Sequence, residues 1–202
     1  MDLRCSYTLI APFYDCVVGP ALRHIRQASL ARLPPHGGFD VLVDGIGTGL
    51  DLPLLPAAHR YFGLDLTTAM LARAQPRRGA LDLTLVQGDS QRLPFRAAAF
   101  DCVVMHLILA IVPDPARALR EAARVLKPGG RILLLDKFLR RGERAPLRRI
   151  LSPLAARIAT HLDVVFEDVF AASTDLTVVS DQPVLARGWF RSIELRKVVS
   201  VD

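Results

Sequence analysis

Lysine is nearly absent from this 202-residue chain: Lys127, Lys137 and Lys197 are the only three among 26 basic residues. Cysteine is equally scarce. Cys5, Cys16 and Cys102 form no CxxC pair and no even set, so a disulfide framework is excluded. With no matching histidine spacing, no structural metal is expected. No apolar run reaches the length of a membrane span, and the longest, Cys102 to Val112, is broken by His106. The N-terminus lacks the order of a signal peptide, because Asp2, Arg4, Pro12 and Asp15 interrupt its apolar residues. A cytoplasmic protein is the expectation. Repeats, low-complexity tracts and linkers are missing too, and one domain over residues 1–202 is the simplest organisation.

Apolar residues make up 51% of the chain, enough for a sizeable core. The net charge of +6 is carried almost wholly by arginine. Nucleic acid, an anionic membrane surface, or a coding bias toward arginine can each account for it.

Short apolar runs recur at Val41–Val43, Tyr61–Leu64, Leu83–Val86, Cys102–Met105 and Arg131–Leu135, each bounded by Gly, Asp or Pro. This pattern predicts a parallel sheet buried on both faces. One helix is well signalled: Asp114 can cap it, Pro115 suits its first turn, and Leu119, Ala122, Ala123 and Leu126 share a face. Lys127-Pro128-Gly129-Gly130 reads as the turn that ends it. Arg140–Ala172 reads as helical, with breaks at Pro146 and Pro153. Leu176–Val179 and Trp189–Val199 read as two strands joined by the loop SDQPVLARG, an antiparallel hairpin at the sheet edge. The fold class is therefore α/β, a Rossmann-like, doubly wound, mostly parallel seven-stranded sheet with an antiparallel C-terminal hairpin. The expected parts are an N-terminal cap (1–35), a core (36–137), a helical basic segment (138–174) and the hairpin (175–202).

The first strand runs into VDGIGTG, with glycines at 45, 47 and 49. Glycines at a strand tip let backbone approach a ligand, and the N–H groups that follow can meet it. A pyrophosphate fingerprint needs Gly or Ala where this chain has Leu50. Asp65 ends the second strand, where a carboxylate can accept from both ribose hydroxyls; capping the helix that begins near Thr67 is the plainer role. Asp89, after the third strand, can accept from an adenine amino group or serve as a turn carboxylate.

The order GIGTG, GLD, GDSQRLPF, FDCVV, RVLKPGG resembles class I S-adenosylmethionine-dependent methyltransferases of the "type 11" kind, over residues 40–136. The resemblance implies S-adenosyl-L-methionine as cofactor. It places Gly45, Gly47, Thr48 and Gly49 under the methionine portion, Asp65 and Leu66 at the ribose, Asp89 and Ser90 at adenine, and His106 and Leu107 beneath the ligand. Such enzymes carry an acidic residue two positions before the first glycine. Here that position is Val43, and the neighbouring Asp44 stands in for it only if its side chain reaches the site. The asparagine-proline-proline-aromatic motif of amine-directed DNA methyltransferases is missing from MHLILAIVPDP, which argues against nucleic acid as acceptor.

Methyl transfer needs an aligned nucleophile and, for an amine, a base. The opening SYTLIAPFYDCVVGP resembles the Y-x(6)-YD start of quinone-precursor and phospholipid methyltransferases, which implies a lid with Tyr7 and Tyr14 near the cofactor or acceptor. An amphipathic helix covering the sheet is the alternative. FLRRGERAPLRRILSPLAARI mixes six arginines with Leu147, Ile150, Leu151 and Leu154, suited to an anionic membrane surface or to an ordinary helix with a solvated face. His106 is the candidate for acid–base work or head-group contact; a histidine hydrogen-bonded into its loop is the alternative. The chain is most similar to the short bacterial phosphatidylethanolamine N-methyltransferases. This implies a lipid amine as acceptor and a cytoplasmic enzyme peripheral on the inner face of the membrane. The alternatives are a soluble methyltransferase for a quinone precursor or another small hydrophobic acceptor, and a methyltransferase-like partner protein without activity.

Overall fold

Leucine- and valine-rich runs form the centre of the structure, a computed structural model that describes residues 19–139, 164–185 and 188–199. Tyr7, Tyr14 and the arginine-rich stretch from Arg140 to Arg157 lie outside the described residues. Seven strands make one sheet in the order β3-β2-β1-β4-β5-β7-β6. They are β1 (Asp40–Asp44), β2 (Arg60–Asp65), β3 (Asp82–Gln87), β4 (Phe100–His106), β5 (Leu126–Lys137), β6 (Leu176–Leu185) and β7 (Phe190–Lys197). The first five run parallel, and β7 lies antiparallel between β5 and β6. Strand order reverses between β1 and β4, which opens a crevice beyond their carboxyl ends. This is the doubly wound, Rossmann-like sheet with an antiparallel C-terminal hairpin.

The period-two alternation of β1 fills two core layers. Val41 and Val43 pack with Tyr61, Val104 and Leu133 on one face, where helix α1 (residues 19–30) contributes Leu30. Leu42 packs with Leu64, Met105 and Ile132 on the other, under Leu119 and Ala122. Helix α2 spans Thr68–Ala74 and α3 spans Pro115–Val125. Asp114 caps α3 by accepting from the Arg117 N–H at 2.9 Å, with Pro115 in the first turn, as expected. Such a cap is worth ~1 kcal/mol.

Two local expectations are corrected. Lys127-Pro128-Gly129-Gly130 is not a separate turn but an irregularity within β5. Phe100 pairs with Leu126 and Cys102 with Arg131, so these four residues bulge opposite Asp101, whose carboxylate holds the Lys127 ammonium at 2.8 Å. SDQPVLARG is not all loop either, because β6 continues through Pro183 to Leu185. Proline is tolerated there because β6 is an edge strand and its register shifts beside that residue. Of the helical stretch expected from Arg140 to Ala172, the described part is the short helix α4 (Phe166–Phe170).

Leu139 and Val164, the described residues on either side of 140–163, meet. The Leu139 N–H donates to Val164 O at 2.8 Å, the Phe166 N–H donates to Leu139 O at 3.4 Å, and Leu139 bridges Val165. Arg191, 1% exposed, locks this neck. It donates to Asp181 at 3.0 Å, to Glu167 at 3.0 Å and to Leu139 O at 3.2 Å, and its guanidinium lies over the Phe166 ring. Because Leu139 follows the carboxyl end of β5, the neck stands on the same sheet edge as the glycine loop.

Candidate functional site

The glycine loop leaves β1 with Gly45, Gly47 and Gly49 all in the left-handed region, at φ +74°, +56° and +83°. Their surroundings differ. A Cβ on Gly49 would lie 3.0 Å from Ala74 Cα, so packing demands glycine there. One on Gly47 would meet nothing nearer than Gly45 O at 3.9 Å, so this residue faces open space. Thr48 is held from behind by Arg77, which donates to its carbonyl at 2.9 Å and its hydroxyl at 3.0 Å.

Asp65 ends β2 beside this loop. Its carboxylate accepts from the Gly47 N–H at 3.0 Å and the Thr67 N–H at 2.9 Å, so it fixes the loop to the strand end. Thr67 itself caps α2 through the Met70 N–H. Burial raises the Asp65 carboxyl above the ordinary range, opposed by the backbone donors. Leu66, next in sequence, is 41% exposed.

Asp44 turns to the face opposite Val43, where Ser90 Oγ donates to its Oδ1 at 2.6 Å. Its Oδ2 is buried with no hydrogen-bond partner. Burial pushes this carboxyl up to about 7, the Ser90 hydroxyl opposing and the charges of Asp65 and Asp89 adding to the rise. Asp89 lies half-buried and accepts from the Gln91 N–H at 2.8 Å, so it shapes its turn. Asp44, Asp65, Asp89 and Ser90 therefore converge at the ends of the first three strands.

His106 sits at the carboxyl end of β4 on the other side of the crevice floor. Its ring is buried, with Nε2 3.0 Å from Ser29 Oγ and Nδ1 3.1 Å from Asp51 Oδ2. Arg26 pairs with the same carboxylate at 2.9 Å. Burial alone would raise the Asp51 carboxyl, but His106 and Arg26 outweigh it and hold it well below the usual carboxylate range. With both nitrogens engaged, the arrangement holds the ring in place. Sequence reasoning missed Arg26, Ser29 and Asp51. No local pattern marks them: Arg26 and Ser29 are buried on α1 and Asp51 beyond the glycine loop, and they meet only in the fold.

Residues 25–134 match the sequence model of a methyltransferase domain. The chain belongs to this family. The methyltransferase is 32% identical over 189 residues to a phosphatidylethanolamine N-methyltransferase of Cereibacter sphaeroides, covering 91% of this chain and 92% of that one. It is 34% identical over 135 residues to the ubiquinone/menaquinone biosynthesis C-methyltransferase UbiE of a Caulobacter strain, covering 60% of this chain and 53% of that one. Its fold matches a chain from the complex between the Haloferax volcanii Trm112 methyltransferase activator and a methyltransferase. That match has a TM-score of 0.75 at 20% identity and covers 96% of this chain and 98% of that one. The protein is a class I S-adenosylmethionine-dependent methyltransferase. Its crevice suits that cofactor: the unpartnered Asp44 oxygen and the neighbouring carboxylates match a ligand with a sulfonium and an ammonium, and the space before Gly47 leaves room for its backbone. Among the described residues no cluster suited to a metal ion occurs. Among the same residues no helix is long and apolar enough to cross a membrane.

Proposed function

We propose that this enzyme methylates the amine of a phosphatidylethanolamine-like phospholipid at an anionic membrane surface, as a cytoplasmic protein peripheral on the inner face. One observation carries the reading. Likeness to the Cereibacter enzyme runs through 91% of the chain, past the cofactor core that the quinone-pathway relatives share. Segments outside that core supply the acceptor site in enzymes of this architecture.

The cofactor, when bound, supplies an electrophilic methyl group on a sulfonium. Gly45, Gly47, Thr48 and Gly49 give it a backbone seat. Asp65 accepts from the ribose hydroxyls, with Leu66 beside them. Asp89 and Ser90 line the adenine end, and Asp44 faces the positive charge. Tyr7 and Tyr14, by the resemblance of the opening segment, serve at the cofactor or the acceptor. His106 serves by position, since both ring nitrogens are taken up by Ser29 and Asp51. Leu139 and Val164, the described residues that flank the arginine-rich stretch in sequence, meet at the carboxyl edge of the sheet, the edge of the cofactor crevice. Each basic residue near an anionic surface adds about 1 kcal/mol to membrane attraction.

Labelled cofactor and vesicles of phosphatidylethanolamine with an anionic lipid test the reading. The expected result is labelled lipid, with sedimentation on vesicles that weakens as salt rises. Replacing Arg140, Arg141, Arg148 and Arg149 by Gln abolishes both and leaves cofactor binding intact. No labelled lipid overturns the proposal. The likeness to the quinone C-methyltransferase supports a second reading, in which a demethylated quinone is labelled without vesicles and without those arginines.

A further inference from the structure

Three elements border the crevice on one side: helix α1, the segment after the glycine loop, and the tip of β4. A chain of buried polar contacts bolts them together. Arg26 and Ser29 come from α1, Asp51 from just past the loop and His106 from the end of β4. They are 6%, 1%, 5% and 5% exposed. Arg26 Nη1 donates to Asp51 Oδ1 at 2.9 Å, and Asp51 Oδ2 lies 3.1 Å from His106 Nδ1. Ser29 Oγ closes the chain at 3.0 Å from His106 Nε2. A carboxylate only accepts, so Nδ1 carries the hydrogen, and in the neutral ring Nε2 accepts from the Ser29 hydroxyl. This fixes the ring's orientation from both ends.

The backbone just after His106 makes that orientation matter. Leu107 is one of two non-glycine residues with positive φ among the described residues, at +61°. A strained residue persists only where its surroundings hold it. Here the buried His106 side chain precedes it, and its own N–H donates to Leu135 O at 2.8 Å. The bend delivers Ile108 onto the glycine loop. Ile108 Cδ1 lies so close that a Cβ on Gly45 would meet it at 2.7 Å. A displaced His106 therefore moves Ile108 against Gly45, and a displaced Asp51 pulls on the segment whose Leu52 N–H is bonded back to Gly49 O.

We propose that Asp51 and His106 are positioning residues, and that the Arg26–Asp51–His106–Ser29 chain sets cofactor affinity by fixing the glycine loop against the β4 tip. The inference rests on S-adenosylmethionine as cofactor and not on the identity of the acceptor. Its test therefore uses binding and amide exchange, which the failure of any acceptor assay leaves untouched.

Calorimetry with S-adenosylhomocysteine is done at a temperature where circular dichroism reports each variant fully folded. Asp51→Asn, which keeps the shape and removes the charge, is expected to weaken binding about tenfold. Ser29→Ala removes one hydrogen bond and is expected to weaken binding about threefold. Ser29→Thr, which restores the hydroxyl, returns the affinity. In the cofactor-free protein Ser29→Ala is expected to speed amide exchange in residues 45–52 and 106–112, although residue 29 belongs to neither. A merely structural role lowers melting temperatures and leaves these quantities alone. Wild-type affinity in the folded variants, or faster exchange confined to α1, overturns the proposal. If Asp51→Asn does not fold, Ser29→Ala, its Thr rescue and the exchange pattern decide alone.

Discussion

Ser90 Oγ donates to Asp44 Oδ1 across 2.6 Å, which ties the loop after β3 to the last residue of β1 inside the crevice. The other Asp44 oxygen is buried and meets no donor. A carboxyl half-satisfied in this way, with Asp65 and Asp89 near it, is an unfavourable arrangement until a positive ligand arrives.

Its pH dependence has a definite sign. The folded-state Asp44 carboxyl lies at about 7, above its unfolded value of 3.8. The stability it contributes is therefore fully present below about 4 and is lost as pH rises through about 7. Binding a cation favours the ionised form, so cofactor affinity should tighten over this upper range, with a proton released. Calorimetry in buffers of different ionisation heat detects that proton. Asp44→Asn should flatten the profile, weaken binding, and raise the melting temperature of the cofactor-free protein at about pH 8 by a few degrees, roughly 1–2 kcal/mol. Affinity for S-adenosylmethionine that is flat from about pH 6 to 8 contradicts this assignment.

Asp65→Ala should weaken S-adenosylmethionine binding by about 1.5–3 kcal/mol, since it removes an acceptor of charge-assisted hydrogen bonds. It also releases the Gly47 and Thr67 N–H groups. Asp65→Asn, which keeps one acceptor oxygen, should fall between. Unchanged affinity in folded Asp65→Ala removes the ribose role.

Two glycines of one loop should respond in opposite ways. Gly49→Ala forces a Cβ to 3.0 Å from Ala74 Cα at a positive φ, so it should cost several kcal/mol of stability. Gly47→Ala meets open space and loses about 1–2 kcal/mol to its left-handed backbone, yet its methyl group occupies the ligand's side of the loop. Thermal melts should rank Gly49→Ala as the less stable, and calorimetry should find Gly47→Ala folded with cofactor binding lost. Undiminished cofactor affinity in folded Gly47→Ala would mean that the open side of the loop is not the ligand side.

Arg191→Leu should lower stability by roughly 2–4 kcal/mol, because it strands Asp181, Glu167 and the Leu139 carbonyl. For a chain of this size that is about 5–15 °C in melting temperature. Cofactor affinity of the folded variant should stay as in the wild type, since Arg191 bonds to Asp181, Glu167 and Leu139 and to no residue of the cofactor site. A melt unchanged within a degree or so would mean that the neck holds without its guanidinium.

Much of this site was legible in the sequence because it depends on one-dimensional regularities. Apolar runs fix where strands end, and Asp65 is a strand-end carboxylate by position alone. Glycine at 45, 47 and 49 states that backbone must turn left-handed or come close to something. The orientation of Asp44 was open because it hinged on whether β1 stays regular to its last residue. It does, with Asp44 in register with Leu64, so the side chain lands on the face opposite Val43. Asp51, Arg26 and Ser29 carried no local mark. Their pairing spans separations of 25 to 77 residues and exists only once α1 crosses the loop. The long β6 was hidden by Pro183, a residue that reads as a loop until the strand is known to be an edge.

Leu139 and Val165 are neighbours in space, so the chain between them begins and ends at one point on the sheet. Doubling the length of a loop closed in this way adds only ~0.6 kcal/mol of closure entropy. Insertions, deletions or whole replacements between these two points are therefore expected to leave strand register and cofactor loop unchanged. On the proposed reading, in which this piece meets the acceptor, exchanging it at that one junction would change the acceptor and leave Asp44, Asp65 and the glycine loop in place.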